Sequence, residues 1–500
     1  MRIVRAGIIA LMAMGACAVT SCQPDRKDDA GSERERRHPN IIILTVDTLR
    51  PDHMALYGYH RNTMPAIEAF AKSAVVFDNA VVFRGNTRAS YASMLTGLYP
   101  FHNGVYSNAP VLHDDLTTLP EILQSAGYHT AAFVSNFVLV GELSGCNQGF
   151  DIYDDRLEEV EANRPNFERT AINTLAAILE WLESDPPQPF LLFTNFIDPH
   201  GPYTPPKKAA DAYHSEDERQ LDPEQIPTYQ QWKGSLNFYD YVDRYDGEIR
   251  YVDQALRILI EQMKQKGLWE DAVVIFAGDH GESLGEHKIF FEHQLHLWEE
   301  TTRVPMAIRL PHPDGLKPAS ETRRVASLAS PMDFMPTILA HLNIPWSDDL
   351  DGCNLLPVME GRDNTQRTLF LACPDYYVPW MSVPDIYAVR TATHKLIRIL
   401  DQDTGKVLGQ LLYNIVRDPL EREPIARDEE PILWHELSRE MNSMLAEFHS
   451  YELPFTLTLY EMPLPSRSGF IAQRKQDPRK TIRHLSQEQI EHLRSLGYVK

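Results

Sequence analysis

Four stretches of the chain carry side chains whose chemistry would combine. In Thr87-Arg-Ala-Ser-Tyr-Ala-Ser-Met-Leu-Thr-Gly97, a threonine stands before a stretch that reads as a helix through Ala89, Ala92, Met94 and Leu95, with Gly97 closing it. A hydroxyl at a helix start meets unpaired N–H groups and the positive end of the macrodipole. Both favour an alkoxide, or an anionic ester drawn against it. An N-cap is the plainer role for the same residue. Asp47 ends the run Ile41-Ile-Ile-Leu-Thr-Val, Asp198-Pro-His200-Gly-Pro-Tyr203 follows Phe190 to Ile197, and Gly278-Asp279-His280-Gly281-Glu282 follows Ala272 to Ala277. A carboxylate from one strand end and an Asp-His pair from another suit a divalent metal, and the Thr87 oxygen would complete the set. A cation beside that hydroxyl lowers its pKa and holds an ester oxygen for in-line attack.

These groups act together only if one sheet edge collects them. The continuous apolar runs before Asp47, His200 and Asp279 read as strands buried on both faces of a parallel sheet, whose ligands lie beyond the carboxyl ends. Val75 to Phe83 and Thr130 to Asn136 read as further strands, the second ending on Ser135 and Asn136. Leu119 to Ala126, Phe167 to Glu183 and Tyr245 to Lys264 read as helices between them. The expected fold class is therefore α/β, a mostly parallel central sheet flanked by helices, over residues 38–345. A smaller C-terminal α+β subdomain is expected over 346–450, with strands at Thr368 to Ala372, Tyr387 to Arg390 and Lys395 to Leu400, and a helix from Trp434 to Phe448. Residues 451–500 read as a tail ending in a short helix, Leu485 to Leu496.

The chain has 500 residues and a formal net charge of −22, which argues against nucleic acid or an anionic lipid surface as a general partner. An anionic substrate stays open, because a metal reverses the local field. At the N-terminus, Arg2 and Arg5 precede an apolar run that ends in Val19-Thr20-Ser21-Cys22. This resembles a bacterial lipoprotein signal over 1–22, with cleavage before Cys22 and lipidation of its thiol. Residues 23–37 would then be a tether to the membrane of the cell envelope, at the periplasmic or outer surface. Cys146, Cys353 and Cys373 form no C-x-x-C pair and read as buried or incidental thiols.

The segments PNIIILTVDTLRPDHMALYGY, SYASMLTGLYP, TLPEILQSAGYHTAAF, DPHGPY, YDGEIRYVDQ, GDHGESLGEH, RVPMAIRLP, MDFMPTIL, DGCNLLPVMEG and LYNIVRDPLE, in this order, resemble the sulfatase branch of the alkaline phosphatase superfamily. The resemblance implies ligation of one divalent ion (Ca2+, Mn2+ or Zn2+) by Asp47, Asp279 and His280, with Thr87 in the nucleophile's place. It also implies that His200 contacts the ester or assists the leaving group and that His293 faces the substrate, a role also given to Asn136. His287 and His296 are left as structural.

Departures from the family matter as much. Sulfatases carry C-x-P-x-R or S-x-P-x-R, whose Cys or Ser is oxidised to formylglycine; Thr87, Ala89 and Tyr91 stand at the aligned positions. The literal match Cys22-Gln-Pro24-Asp-Arg26 lies in the lipobox and is a decoy. Thr48 replaces the usual second Asp, Asn103 a frequent His, and Asn136 a Lys. A threonine ester cannot collapse as a formylglycine hemiacetal does, so it must be cleaved by water or an acceptor, which tilts the reaction toward phosphoryl chemistry. The expectation is a hydrolase of phosphate or sulfate esters on a glycan, lipid headgroup or small molecule. The alternatives are a sulfuric ester hydrolase proper and a non-catalytic binding relic.

Overall fold

Strand β1 (Ile41–Val46) is buried along its whole length, and its alternate side chains enter two separate cores. Ile42, Leu44 and Val46 pack toward helices α1 (Pro65–Ala71), α3 (Ala171–Glu183) and α4 (Phe238–Gln265). Ile41 and Ile43 pack toward α2 (Thr87–Thr96) and α5 (Phe334–Leu342). Burying each such isoleucine contributes about 1.5–3 kcal/mol, which is why a β-branched run commits to the middle of the sheet. The computed structural model describes residues 38–451 apart from 161–165, 312–321, 347–348, 363–366, 375–376, 379–380, 383 and 403. The expected signal segment, Cys22, the tether and the terminal helix lie outside the described residues. Among the described residues, no helix is long and apolar enough to cross a membrane.

The remaining strands of the central sheet are β2 (Val75–Val81), β3 (His129–Phe133), β4 (Ile152–Asp154), β5 (Phe190–Phe196), β6 (Val273–Gly278), β7 (Arg303–Arg309) and β8 (Arg323–Ala329). Their order is β8-β2-β7-β6-β1-β5-β3-β4. Strand β7 runs antiparallel to both neighbours, and the other pairs are parallel. β1 lies between β5 and β6 in register, Val46 opposite Phe196 on one side and Gly278 on the other. The residues after these three strands therefore meet at one edge.

Some expected bounds are corrected. The helix read from Phe167 begins at Ala171, because the Ala171 N–H donates to Asp198 Oδ1 at 2.9 Å while Phe167–Glu168 pairs as a short strand. The helix read from Tyr245 starts earlier, at Phe238, where the Asn237 side chain accepts from the Tyr239 N–H. Strands β7 and β8, which the sequence reading does not include, follow β6 in the same sheet.

The C-terminal subdomain is a four-stranded antiparallel sheet in the order β9 (Leu369–Cys373), β10 (Asp385–Arg390), β11 (His394–Leu400) and β12 (Val407–Asn414). Helix α6 (Pro431–Phe448) covers it with Trp434, Leu437, Met441, Leu445 and Phe448, a stripe at helical spacing. Phe83, Tyr99 and Phe101 share that core, so the subdomain is packed against the chain on either side of α2.

Candidate active site

Asp47 follows β1, and Asp279 and His280 follow the neighbouring β6; one ligating atom from each lies within 4.8 Å of the others. His280 Nε2 is 3.5 Å from Asp47 Oδ1 and 3.7 Å from Asp279 Oδ2, and all three side chains are fully buried. Neither of those oxygens has a hydrogen-bond partner among the described residues. The opposite oxygens are occupied. Asp47 Oδ2 accepts from Asn136 Nδ2 at 2.6 Å, and Asp279 Oδ1 accepts from the N–H groups of His280 and Thr48 at 2.8 and 3.2 Å. The Gly281 carbonyl, 2.9 Å from His280 Nδ1, only accepts, so the proton sits on Nδ1 and the Nε2 lone pair faces the carboxylates.

This donor set fits a divalent cation. Burial pushes the Asp279 carboxyl up to about 8 and raises Asp47 as well, where Asp279 adds like-charge repulsion. Burial also lowers His280 to about 4, so the imidazole stays neutral and available as a ligand. No Lys or Arg pairs with either carboxylate among the described residues. Two buried carboxylates with bare oxygens are costly until a cation joins them.

Thr87 Oγ1 lies 3.3 Å from His280 Nε2 and is buried. It is the first residue of α2 and not its N-cap; Asn86 holds that position with extended backbone. Gly97 closes the helix in the left-handed conformation, φ 69°, as the sequence predicts. Every residue of α2 is buried, which fixes the hydroxyl at the sheet edge. One turn on, Tyr91 points its hydroxyl at Thr45 Oγ1 in β1. Arg88 turns away, donating to the carbonyls of Val138, Ala109 and Pro110 at 2.9, 2.8 and 3.1 Å.

Three imidazoles line one side. His293 is 1% exposed and stacks on His280 with centroids 4.6 Å apart. His200 meets His293 edge-on at 5.2 Å, its Nδ1 bonded to the Gly201 carbonyl at 2.8 Å. Gly85 permits this assembly, since a Cβ there would fall 1.9 Å from the His293 carbonyl oxygen. Asn136, expected on substrate, donates one N–H to Asp47, and its Oδ1 accepts from the Val138 N–H at 3.0 Å. Its amide thus holds the Asp47 carboxylate in place. Asn103 accepts from the Val105 N–H at 2.9 Å. His287 lies between Glu300, at 3.2 Å, and the Glu421 carbonyl, at 3.1 Å, away from the imidazole row, and His296 is buried. Cys146 and Cys373 are buried thiols.

Glu282 was given no role from sequence. It is fully buried, with Oε1 3.1 Å from His293 Nδ1. The signal was its spacing, two residues past His280 in the same motif.

A mostly parallel sheet whose carboxyl edge gathers two carboxylates, an imidazole and a hydroxyl at a helix start defines an ester hydrolase. The chain belongs to the sulfatase family, which residues 39–344 match, and residues 285–450 match the C-terminal region of N-sulphoglucosamine sulphohydrolase. It is 26% identical over 452 residues to an ulvan-active sulfatase of Formosa agariphila, covering 85% of this chain and 84% of that protein. It is 26% identical over 453 residues to a choline-sulfatase of Rhizobium meliloti, with 78% and 83% covered. Among solved structures it aligns at TM-score 0.67 and 21% identity, over 83% of this chain and 99% of the other, with a protein in complex with its substrate D-glucosamine-2-N,6-O-disulfate. It aligns at TM-score 0.65 and 17% identity, over 82% and 96%, with the phosphonate monoester hydrolase of Agrobacterium radiobacter.

Proposed function

We propose that this chain is a metal-dependent hydrolase of anionic esters that uses Thr87 as its nucleophile and prefers phosphoester or phosphonate substrates. The observation that carries this reading is the 3.3 Å contact between Thr87 Oγ1 and His280 Nε2, beside the bare oxygens of Asp47 and Asp279. When bound by Asp47, Asp279 and His280, the cation supplies positive charge that acidifies the hydroxyl and offsets charge on the ester. Thr87, its proton lost to solvent, attacks phosphorus as the alkoxide, the bond to the leaving oxygen breaks, and doubly protonated His200 delivers the Nε2 proton to that oxygen, its Nδ1 proton being committed to the Gly201 carbonyl. Water then gives a proton to the freed His200 Nε2 as it attacks the same phosphorus, and Thr87 leaves as the alkoxide. The positive end of α2 favours negative charge on Thr87 Oγ1 throughout.

The alcohol portion would be a saccharide, in keeping with relatives named for ulvan and with a neighbour bound to a sulfated glucosamine. We place the mature chain on a lipid anchor at Cys22 in the cell envelope. A second reading, cleavage of sulfate esters by Thr87, is favoured by the names of those same relatives. A third, binding without turnover, is favoured by Tyr91 and Thr48 standing where the family has a cation and a carboxylate.

The purified protein would be assayed with aryl phosphodiester, phosphonate and sulfate esters, with and without Mn2+, Ca2+ or Zn2+. Metal-dependent turnover of the phosphorus esters that is lost in Thr87→Ala supports the proposal. Turnover of sulfate esters alone moves it to the second reading, and no turnover with any ester to the third.

A further inference from the structure

The two segments that carry the ligands are fastened together by a pair of residues that the proposed chemistry leaves unused. Arg50, 1% exposed, belongs to the segment after β1. Its Nη1 donates to the Glu282 carbonyl, in the segment after β6, at 3.0 Å. Its Nε and Nη2 donate to Asp52 at 3.0 and 2.7 Å, and Nη2 also reaches Glu286 Oε1 at 2.9 Å. Glu286 accepts in turn from the Leu284 N–H at 2.8 Å. One planar guanidinium thus spans both segments, with hydrogen bonds in directions that a lysine ammonium does not reproduce.

Tyr245, fully buried on α4, completes the bracket. Its hydroxyl donates to the Thr48 carbonyl at 2.6 Å and accepts the Arg50 N–H at 3.1 Å. Between these anchor points Thr48 is held at φ 51°, in the left-handed region that a β-branched residue rarely enters. That strained turn directs the Thr48 N–H to Asp279 Oδ1 at 3.2 Å, while Asp47 beside it faces His280. Two mutually repelling carboxylates are kept in ligating range by backbone that would relax without its clamp.

We propose that Arg50 and Tyr245 are positioning residues that set the site's affinity for its divalent cation. The proposal rests on Asp47, Asp279 and His280 being metal ligands.

The test strips the purified full chain with chelator and titrates it calorimetrically with Mn2+, Ca2+ and Zn2+, beside thermal melting of the metal-free form. Tyr245→Phe removes only the hydroxyl, and Arg50→Lys keeps the charge but not the fork. Tyr59→Phe is the comparison, since its hydroxyl donates to Asp246 at 2.8 Å and makes no bond to Arg50 or Thr48. Tyr245→Phe and Arg50→Lys should each weaken metal binding about 10- to 100-fold, the range for partners that orient ligands. Tyr59→Phe should bind as wild type does. If the wild type binds metal and Tyr245→Phe and Arg50→Lys bind it equally well, with only melting lowered, the clamp is merely structural and the proposal falls alone. If the wild type takes up none of the three ions, the ligand reading falls and the clamp with it.

Discussion

Thr87 Oγ1 and His280 Nε2 stand 3.3 Å apart, one at the start of α2 and the other just past the end of β6. Because α2 is buried on every side, the backbone that carries this hydroxyl is held at the sheet edge. Removing the hydroxyl should therefore cost turnover and leave the fold standing. Thr87→Ala should lower kcat by about 10⁶-fold, the scale seen when a nucleophile is deleted. Thr87→Ser keeps an oxygen there and should retain measurable activity. Steady-state rates on the preferred ester check both, and an active Thr87→Ala protein would remove Thr87 from the mechanism.

The buried carboxylates set a pH dependence whose sign is opposite to that of a salt-bridged acid. Asp279 titrates at about 8 in the metal-free fold because burial disfavours its charge, against roughly 4 in an unfolded chain. The folded form therefore binds more protons between those values. Its contribution to stability is complete below about 4 and is lost as pH rises through about 8. Asp198 and Asp253, both raised to about 7 by burial, add to the same trend. Metal-free protein should melt lower at pH 8 than at pH 5, with a smaller drop in Asp279→Asn. Added Mn2+, replacing the proton, should raise the melting temperature more at pH 8. An Asp279→Asn variant with an unchanged pH slope would refute this account.

The parts of this arrangement that were legible in the sequence are those whose information is local. Ile41 to Val46 and Val273 to Gly278 announce buried strands, and Asp47, Asp279 and His280 are simply the next residues. Strand β7 was not legible because Pro305 interrupts it; the sheet tolerates the proline at a register shift between Val304 and Met306. Strand β8 at the sheet edge leaves Arg323 and Arg324 exposed, so it lacks the apolar run of its neighbours. The residues that hold the site, Arg50, Tyr245 and Glu282, act on partners far along the chain or on backbone carbonyls, and no periodicity encodes such pairs. Asn136 was legible as a strand-end polar group, but only the fold shows that its amide turns toward Asp47.

That amide yields a prediction of its own. The 2.6 Å bond from Asn136 Nδ2 fixes which oxygen of Asp47 remains bare. Asn136→Ala lets the carboxylate rotate and should weaken metal binding about tenfold. Asn136→Asp has a similar shape but sets a third carboxylate against Asp47, and should weaken it further at neutral pH. Calorimetric titration orders the three proteins. Equal affinities would mean that Asp47 is held by its backbone alone.

The contact between the C-terminal subdomain and the catalytic sheet rests on a different group of buried charges. Glu299 receives Arg390 Nε and Nη2 at 3.0 Å each and Lys395 Nζ at 3.2 Å, and Lys395 also reaches Glu421 at 3.1 Å. Burial would raise the Glu299 carboxyl, but Arg390 and then Lys395 outweigh it and hold it down to about 2. Glu299→Gln removes the shared counter-charge, leaving Lys395 with Glu421 and taking from Arg390 its carboxylate partner. Breaking one member of a buried ionic group typically costs about 3–5 kcal/mol. The variant should show that loss in chemical denaturation while its metal affinity stays as in the wild type. A variant that loses metal affinity in step with stability would show that this charge group also shapes the loop reaching from β6 to His293.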